Sequence, residues 1–210
     1  MIPAFEALQR LRDGNRRFVS GARGLDTITN QNRPSDFING QTPIAVILGC
    51  SDSRVPVEIV FDQGLGDLFV IRVAGNIVAP SQIGSVEFAA ERFGTRLVVV
   101  LGHTRCGAIA ATLEHLQRPI DLQSRHLGSI VDLIRPAVQG LLTTDLRNDR
   151  DALAREAVRA NVRVSADALR HGSKVLERLI ATEGLHVVGA EYALETGVVD
   201  VFDGAPAFQE

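Results

Sequence analysis

The sequence predicts an α/β protein with a mostly parallel four-stranded sheet, an antiparallel C-terminal edge strand, helices on both faces and an amphipathic N-terminal helical arm. Short, continuously apolar segments recur along the chain, as strands that are buried on both faces require. Segments of helical composition separate them, and this alternation is typical of a parallel sheet. The tight turn Glu195–Gly197 lies between the last two strands. Because a tight hairpin cannot connect parallel neighbours, the last strand is predicted to be antiparallel.

The composition of the chain is that of a globular protein. Of its 210 residues, 45% are hydrophobic and 22% are charged, which excludes disorder, collagen-like repeats and coiled coil as descriptions of the whole chain. We therefore expect a single domain over residues 1–210, with an N-terminal arm and loop at 1–40 and an α/β core at 41–210. The formal charge of -3 gives no electrostatic reason to expect nucleic acid or a membrane as a partner.

The N-terminal segment Pro3–Val19 is predicted to be an amphipathic helical arm. Its large apolar residues recur near helical spacing: Phe5, Leu8, Leu11 and Phe18. Arginines interrupt these apolar residues, so the segment does not have the pattern of a secretory signal. Its apolar stripe can lie either across a neighbouring chain or on the sheet of its own chain. The polar segment Gly21–Gly40 is predicted to be a loop that can include a short helical turn.

Five strands and five helices are predicted along the rest of the chain. The strands are Pro43–Gly49, Asp67–Arg72, Arg96–Gly102, His186–Tyr192 and Val198–Phe202. The helices are Ser85–Phe93, Gly107–Gln117, Gly128–Gly140, Asp151–His171 and Ser173–Glu183. Ser173, which follows Gly172, suits the N-cap of the last helix. The apolar segments are far too short to span a membrane.

Chemically reactive residues follow two of the predicted strands. The first strand leads into Gly49–Val55, which contains Cys50, and the third leads into Gly102–Gly107, which contains His103 and Cys106. If the two strands are adjacent, the two sulfurs and the imidazole converge, because ligands gather at the carboxyl ends of parallel strands. This donor set suits a tetrahedral Zn²⁺ ion. Three protein ligands with a vacant fourth position are typical of a catalytic zinc site.

The same residues have other interpretations. A lone cysteine is usually a small hydrophobic core residue, and a lone histidine is more often a hydrogen-bonded surface or core residue. Asp52 could be a turn carboxylate and Arg54 a solvated charge, but their position beside Cys50 favours a shared role. Two cysteines are too few for a disulfide scaffold, so we expect a cytoplasmic, reducing location in which the thiols remain free.

The segments CSDSRV and HTRCGA resemble the β-class carbonic anhydrases. The resemblance includes the N-terminal segment ALQRLRDGNRRFVSG and three later segments, GDLFVIRVAGNIV, GSVEFAAERFGTRLVVVLGH and LHVVGAEYALETGVVDVF. It covers nearly the whole chain except Asp121–Asp149. Within that family, the chain is most similar to the plant or open type.

The resemblance implies an enzyme, a lyase that hydrates carbon dioxide reversibly to bicarbonate and a proton. In that family a zinc ion is held by two cysteines and a histidine, here Cys50, His103 and Cys106, and zinc-bound hydroxide attacks the substrate. An aspartate–arginine dyad, here Asp52 and Arg54, orients the hydroxide. Asp52 becomes a fourth zinc ligand only in a closed state.

The same resemblance assigns residues to the substrate pocket. Gln41 matches a glutamine that hydrogen-bonds the bound oxygen ligand, and Phe69 and Ala74 match residues of the pocket wall. Phe88 matches a residue supplied across a dimer interface. The backbone N–H of Gly107, at the start of a predicted helix, is a further group for binding the product anion. Gln41 could also be a plain loop residue, and Phe69 a plain core residue.

The chain departs from some members of the family. Those members have a bicarbonate-dependent closed state that is built on a tryptophan, a tyrosine and an arginine. Here Ile47 stands at the tryptophan position, the chain contains no tryptophan, and Phe88 replaces the tyrosine. Only the arginine, Arg72, remains, which favours the open type.

The resemblance also implies self-association, as a homodimer or a dimer of dimers, with no nucleic acid and no membrane as partners. Two other functions remain open. A hydrolase of carbonyl sulfide or carbon disulfide would use the same zinc site. A structural or zinc-storing module would need four permanent ligands, and binding of azide or a sulfonamide to the metal would argue against it.

Overall fold

The computed structural model describes residues 2–22, 38, 40–118 and 124–205. Most of the predicted loop Gly21–Gly40 lies outside the described residues. The strands are β1 (Ala45–Gly49), β2 (Leu68–Arg72), β3 (Leu97–His103), β4 (His186–Tyr192) and β5 (Val199–Asp203). The described α-helices are α1 (Ala4–Ser20), α2 (Val57–Val60), α3 (Pro80–Arg92), α4 (Gly107–Gln117), α5 (Arg125–Val138), α6 (Arg150–His171) and α7 (Lys174–Thr182). Short 3-10 turns occupy Ala74–Asn76, Gln139–Thr143 and Asp145–Asn148.

The five strands form one sheet in the order β2-β1-β3-β4-β5. The first four are parallel, and β5 pairs with β4 in the antiparallel direction. The predicted fold class is therefore confirmed. In the register of the sheet, Gly49 of β1 lies beside Arg72 of β2 and beside Leu101 of β3. The carboxyl ends of these three strands consequently lie side by side at one end of the sheet.

Helices cover both faces of the sheet. All residues of β1 and β3 are buried, as their continuously apolar sequences predict. Val46 and Leu48 pack towards α3, α6 and α7, whereas Ala45 and Ile47 pack towards α1 and α2. A third apolar cluster lies between α4, α5 and the first half of α6, and it includes both cysteines. The thiols are therefore held in an apolar environment.

The predicted N-terminal arm is helix α1, and it packs on the sheet of its own chain. Leu8 and Leu11 are buried in the same cluster as β1 and β3. Phe5 differs from the predicted stripe, because it is 46% exposed. The helix ends at Ser20 and is capped by Gly21, whose φ of 71° is left-handed and whose N–H donates to the carbonyl of Phe18.

The ends of the helices follow capping residues. α3 begins at Pro80, earlier than the predicted Ser85, because the first turn of a helix accepts proline. α5 also begins earlier than predicted, after Ser124, whose side chain accepts the N–H of Leu127. Ser173 caps α7 in the same way, as predicted. None of the helices in the described part of the chain combines the length and apolar content that crossing a bilayer requires.

Close packing of α6 on β3 gives a testable prediction at Gly102. A Cβ atom at this position would lie 2.6 Å from Cγ2 of Val162 and 3.1 Å from Cγ1 of Val158. We expect Gly102→Ala to lower the free energy of unfolding by about 1–3 kcal/mol in urea denaturation. The control is Gly84→Ala in α3, where nothing lies within 4 Å of an added Cβ, and it should not lose stability. Equal stability of Gly102→Ala and the wild type would contradict this packing.

Candidate metal centre

Two adjacent parallel strands bring the three predicted ligands together. Cys50 directly follows β1, His103 is the last residue of β3, and Cys106 directly precedes α4. One donor atom from each residue lies within 4.8 Å of the other two, and all three residues are buried. The Sγ atoms of Cys50 and Cys106 are 3.9 Å apart. A single metal ion can therefore contact all three side chains.

The ring of His103 is oriented to bind a metal. Its Nδ1 lies 2.9 Å from the carbonyl oxygen of Thr104, so Nδ1 carries the proton and donates it to that carbonyl. The other nitrogen, Nε2, is then a bare acceptor. It is buried and has no hydrogen-bond partner among the described residues. A metal ion would satisfy it, in the arrangement typical of metal-binding histidines.

Without a metal, the pair of thiols favours a single negative charge, on Cys50. Their mutual hydrogen bond lowers the pKa of Cys50 to about 4, although burial opposes this shift. The same hydrogen bond, together with burial, raises the pKa of Cys106. Burial alone would lower the pKa of His103, but the neighbouring Cys50 sulfur, the carbonyl of Thr104 and the carboxylate of Asp52 raise it overall. A bound cation would favour two thiolates and a neutral imidazole, so the residues present fit a divalent ion such as zinc.

Gly75 supports Cys50 from the turn that follows β2. Its N–H donates to the Sγ atom of Cys50 at 3.4 Å. Its φ is 71°, and a Cβ atom would lie only 2.8 Å from Cδ1 of Ile134, so both the backbone and the space favour glycine. The carbonyl of Gly75 accepts a hydrogen bond from Nδ2 of Asn161 at 2.8 Å. The donor to the sulfur is thus held in place from α6.

Asp52 and Arg54 form a two-pronged ion pair beside the sulfurs. Nε of Arg54 lies 2.9 Å from Oδ1 of Asp52, and Nη2 lies 2.7 Å from Oδ2. The backbone N–H of Arg54 also donates to Oδ1 at 3.0 Å. These hydrogen bonds hold the pKa of Asp52 well below its usual range. Oδ2 lies 3.9 Å from Nε2 of His103, so the ionised carboxylate faces the metal centre while the guanidinium holds it.

Arg72, at the end of β2, braces the backbone that carries these groups. Its Nε donates to the carbonyl of Cys50 at 3.0 Å, and its Nη2 donates to the carbonyl of Asp52 at 2.5 Å. From the sequence, Arg72 is only the remaining member of a closed-state trio. In this structure it connects β2 to the loop that follows β1.

Two of the five predicted substrate residues lie beside the candidate metal centre. Gly107 is the first residue of α4 and follows Cys106, and Ala74 precedes Gly75. Gln41 lies at the opposite end of the sheet, where the parallel strands begin. The nearby carbonyl of Pro43 accepts a hydrogen bond from Thr95, which comes just before β3. The length of β1, roughly 16 Å, separates this end of the sheet from Cys50. Within one chain, Gln41 is therefore remote from the predicted ligands.

Phe69 and Phe88 contact each other in an aromatic cluster. Their ring centroids are 6.2 Å apart, and Phe93 completes the cluster at 6.0 Å and 5.5 Å from them. Phe69 is partly buried against the core cluster between the sheet and helices α3, α6 and α7. Both cysteines belong to a separate apolar cluster. Phe88 is 53% exposed. An exposed phenylalanine that joins an aromatic cluster offers a surface for contact with another molecule.

Comparison with known proteins identifies the family. Residues 45–199 match the family model described as carbonic anhydrase. Carbonic anhydrase 2 of Mycobacterium tuberculosis is 37% identical over 193 residues, which cover 91% of this chain and 89% of that protein. The solved structure of the β-carbonic anhydrase CcaA is 26% identical, with a TM-score of 0.73 and coverage of 97% of this chain and 94% of that one. The chain belongs to the β-carbonic anhydrase family. This membership confirms the predicted class of enzyme.

A further β-carbonic anhydrase structure, from the filamentous ascomycete Sordaria macrospora, has the same fold. It aligns with a TM-score of 0.72 at 24% identity and covers 80% of this chain and 84% of that one. That protein is described as tetrameric.

Sequence reasoning missed two supporting groups in this β-carbonic anhydrase, Gly75 and Thr104. Both act through the backbone, Gly75 by its N–H and Thr104 by its carbonyl, so the type of side chain gave no indication. For Gly75 one signal was available. A glycine soon after a strand that neighbours β1 is compatible with a turn of positive φ close to Cys50.

Proposed function

We propose that this chain is a zinc-dependent enzyme that catalyses the reversible hydration of carbon dioxide to bicarbonate and a proton. The observation that carries the proposal is the buried cluster of two sulfurs and one unpartnered imidazole nitrogen, with donor atoms within 4.8 Å of one another. A carboxylate held by a guanidinium lies beside this cluster. Membership of the β-carbonic anhydrase family supports the same reaction.

Cys50, His103 and Cys106 would hold the zinc ion and leave its fourth position open. A bound zinc ion would supply a water molecule of lowered pKa, whose deprotonated form is the nucleophile for carbon dioxide. The hydrogen bond between Nδ1 of His103 and the carbonyl of Thr104 keeps Nε2 free for the metal. The N–H of Gly75 stabilises the Cys50 thiolate in its apolar surroundings.

Asp52 would orient the attacking water by accepting its hydrogen bond. An ionised carboxylate can only accept, and the paired Arg54 keeps Asp52 ionised. Arg54 would also keep the carboxylate from becoming a fourth ligand, because both of its oxygens already accept hydrogen bonds from the guanidinium. This pairing supports the open type, as does Ile47, which is fully buried in β1 at the position of the tryptophan used by closed-state members.

The pocket would be completed by a second chain. Gln41 is exposed and remote from the metal centre of its own chain, and Phe88 is 53% exposed. Both could therefore serve the site of a partner in a homodimer or a dimer of dimers. Ala74 would line the pocket within the chain, and the N–H of Gly107 would bind the product anion at the start of α4. Two free thiols suit a reducing compartment, which favours the cytoplasm.

Removal and return of zinc tests the proposed function directly. We expect the purified protein to contain about one zinc ion per chain and to accelerate carbon dioxide hydration in a stopped-flow assay. Dialysis against a chelator should abolish the activity, and added zinc should restore it. Carbonyl sulfide and carbon disulfide are assayed in parallel. Faster turnover of either gas than of carbon dioxide would contradict the proposal, and so would a zinc-loaded protein that is inactive and binds no azide.

A further inference from the structure

The loop between β3 and α4 does more than connect two metal ligands. It contains Thr104 and Arg105, with His103 before them and Cys106 after them. Arg105 has a φ of 57°, in the left-handed region that residues with side chains rarely adopt. A backbone of this shape persists only where surrounding contacts hold it. Those contacts come from a distant part of the sequence.

Four hydrogen bonds attach the loop to the end of β4 and the turn that follows it. Oγ1 of Thr104 donates to Oε2 of Glu195 at 2.8 Å, and Nε of Arg105 donates to Oε1 at 2.6 Å. The N–H of Leu194 donates to Oγ1 of Thr104 at 3.0 Å. The N–H of Thr104 donates to the carbonyl of Tyr192 at 3.0 Å. Glu195 is the only side chain of the turn in this group, and it uses both carboxylate oxygens.

The loop in turn positions two groups of the metal centre. The carbonyl of Thr104 accepts the proton on Nδ1 of His103 and so fixes which ring nitrogen is free. The carbonyl of Arg105 lies 3.4 Å from Nη2 of Arg54, the same nitrogen that binds Asp52. A displacement of the loop would therefore turn the imidazole and loosen the guanidinium together.

We propose that Glu195 is a positioning residue of the metal centre. Through Thr104 and Arg105, it holds the loop in the shape that presents Nε2 of His103 to the metal and keeps Arg54 on the carboxylate. Glu195 itself lies in the β4–β5 turn, and its carboxylate binds Thr104 and Arg105 rather than a predicted ligand. The inference rests on the proposed function, because it presupposes a metal at the three donors.

Glu195 differs from an ordinary surface ion pair. The side chains of Glu195 and Arg105 are 46% and 74% exposed, and an ion pair of that exposure contributes little to stability by itself. The second carboxylate oxygen, however, binds a hydroxyl that is also hydrogen-bonded to the backbone of the turn. The hydrogen bond from Arg105 lowers the pKa of Glu195 to about 2, so the group is charged at any working pH. Loss of the Glu195 carboxylate should therefore alter the geometry of the loop and change overall stability little.

The test compares Glu195→Gln with a matched control, Glu183→Gln. The carboxylate of Glu183 also uses both oxygens, with Arg96 at 2.5 Å and Arg178 at 2.6 Å, and its side chain is 39% exposed. It lies just before β4, at the end of the sheet where the parallel strands begin, which is remote from the metal centre. Thr104→Val removes the hydroxyl that connects the loop to the turn, whereas Thr104→Ser keeps it. The variants are compared as zinc-loaded proteins and after replacement of zinc by cobalt.

The measurements are the rate of zinc release to a chelator, the absorption spectrum of the cobalt protein and the thermal unfolding midpoint. We expect Glu195→Gln and Thr104→Val to release zinc about 10-fold faster than the wild type and to alter the cobalt spectrum, as loss of supporting contacts does at metal sites. Glu183→Gln and Thr104→Ser should match the wild type. Unchanged release and spectrum in Glu195→Gln would overturn this inference alone, and so would release rates that merely follow the unfolding midpoint. A wild-type protein that binds neither metal would overturn the proposed function as well.

Discussion

Replacing Cys50 with serine is expected to abolish both zinc binding and carbon dioxide hydration. The thiolate is a strong zinc ligand, whereas a serine hydroxyl keeps its proton and binds the ion poorly. The remaining donors, His103 and Cys106, cannot enclose the ion alone. Although Cys50 is buried in an apolar cluster, serine is similar to cysteine in size, so the fold should persist. Metal analysis by mass spectrometry and a stopped-flow hydration assay on the same sample measure the two losses together.

A pair of histidine variants provides a matched control for the loss of the cysteine. His103→Ala removes the buried imidazole and should also give a metal-free, inactive protein. His171→Ala removes an exposed imidazole at the end of α6, whose Nε2 lies 3.4 Å from Oδ1 of Asp167. That variant should keep its zinc and its rate. Wild-type zinc content and turnover in Cys50→Ser would disprove the assignment of the ligands.

The convergence of Cys50, His103 and Cys106 could be predicted from the sequence because a local apolar pattern marks the strands that carry them. Cys50 and His103 lie at the ends of continuously apolar strands, and adjacent parallel strands bring such ends together. The apolar pattern gave the strands to within about two residues, in line with the usual uncertainty of element ends. The short helix α2 was not predicted, because four residues are too few to carry a helical period.

Other parts of the site depend on contacts that no local pattern encodes. The hydrogen bonds between Glu195 and the loop join residues that are about 90 positions apart in the sequence. Gln41 and Phe88 could be matched to a family by position, yet their placement in one chain leaves them remote from the ligands or exposed. Under the proposed function, assembly with a second chain would set their roles, and the sequence of one chain does not specify that assembly.

Replacing Arg54 with alanine is expected to abolish most activity while the zinc remains bound. The guanidinium holds both oxygens of Asp52, and Oδ2 is already only 3.9 Å from Nε2 of His103. Without Arg54, the carboxylate is free to move onto the metal and take the open position, since aspartate is a competent zinc ligand. Hydration should fall by about 100-fold or more, because the attacking water is then displaced or misplaced. Stopped-flow assays and metal analysis measure the rate and the zinc content.

A second substitution separates the movement of the carboxylate from simple unfolding. The side chain of Arg54 is 53% exposed, so its loss should change the thermal unfolding midpoint little. In the cobalt protein, Arg54→Ala should bind azide weakly because Asp52 occupies the open position, whereas Arg54→Ala combined with Asp52→Ala should bind azide well and remain inactive. Arg54→Lys keeps the charge but loses the two-pronged geometry, so its rate should lie between those of the wild type and Arg54→Ala. Near-native turnover in Arg54→Ala would refute the role of the pair, and equal azide affinity in the single and double variants would show that the carboxylate does not move.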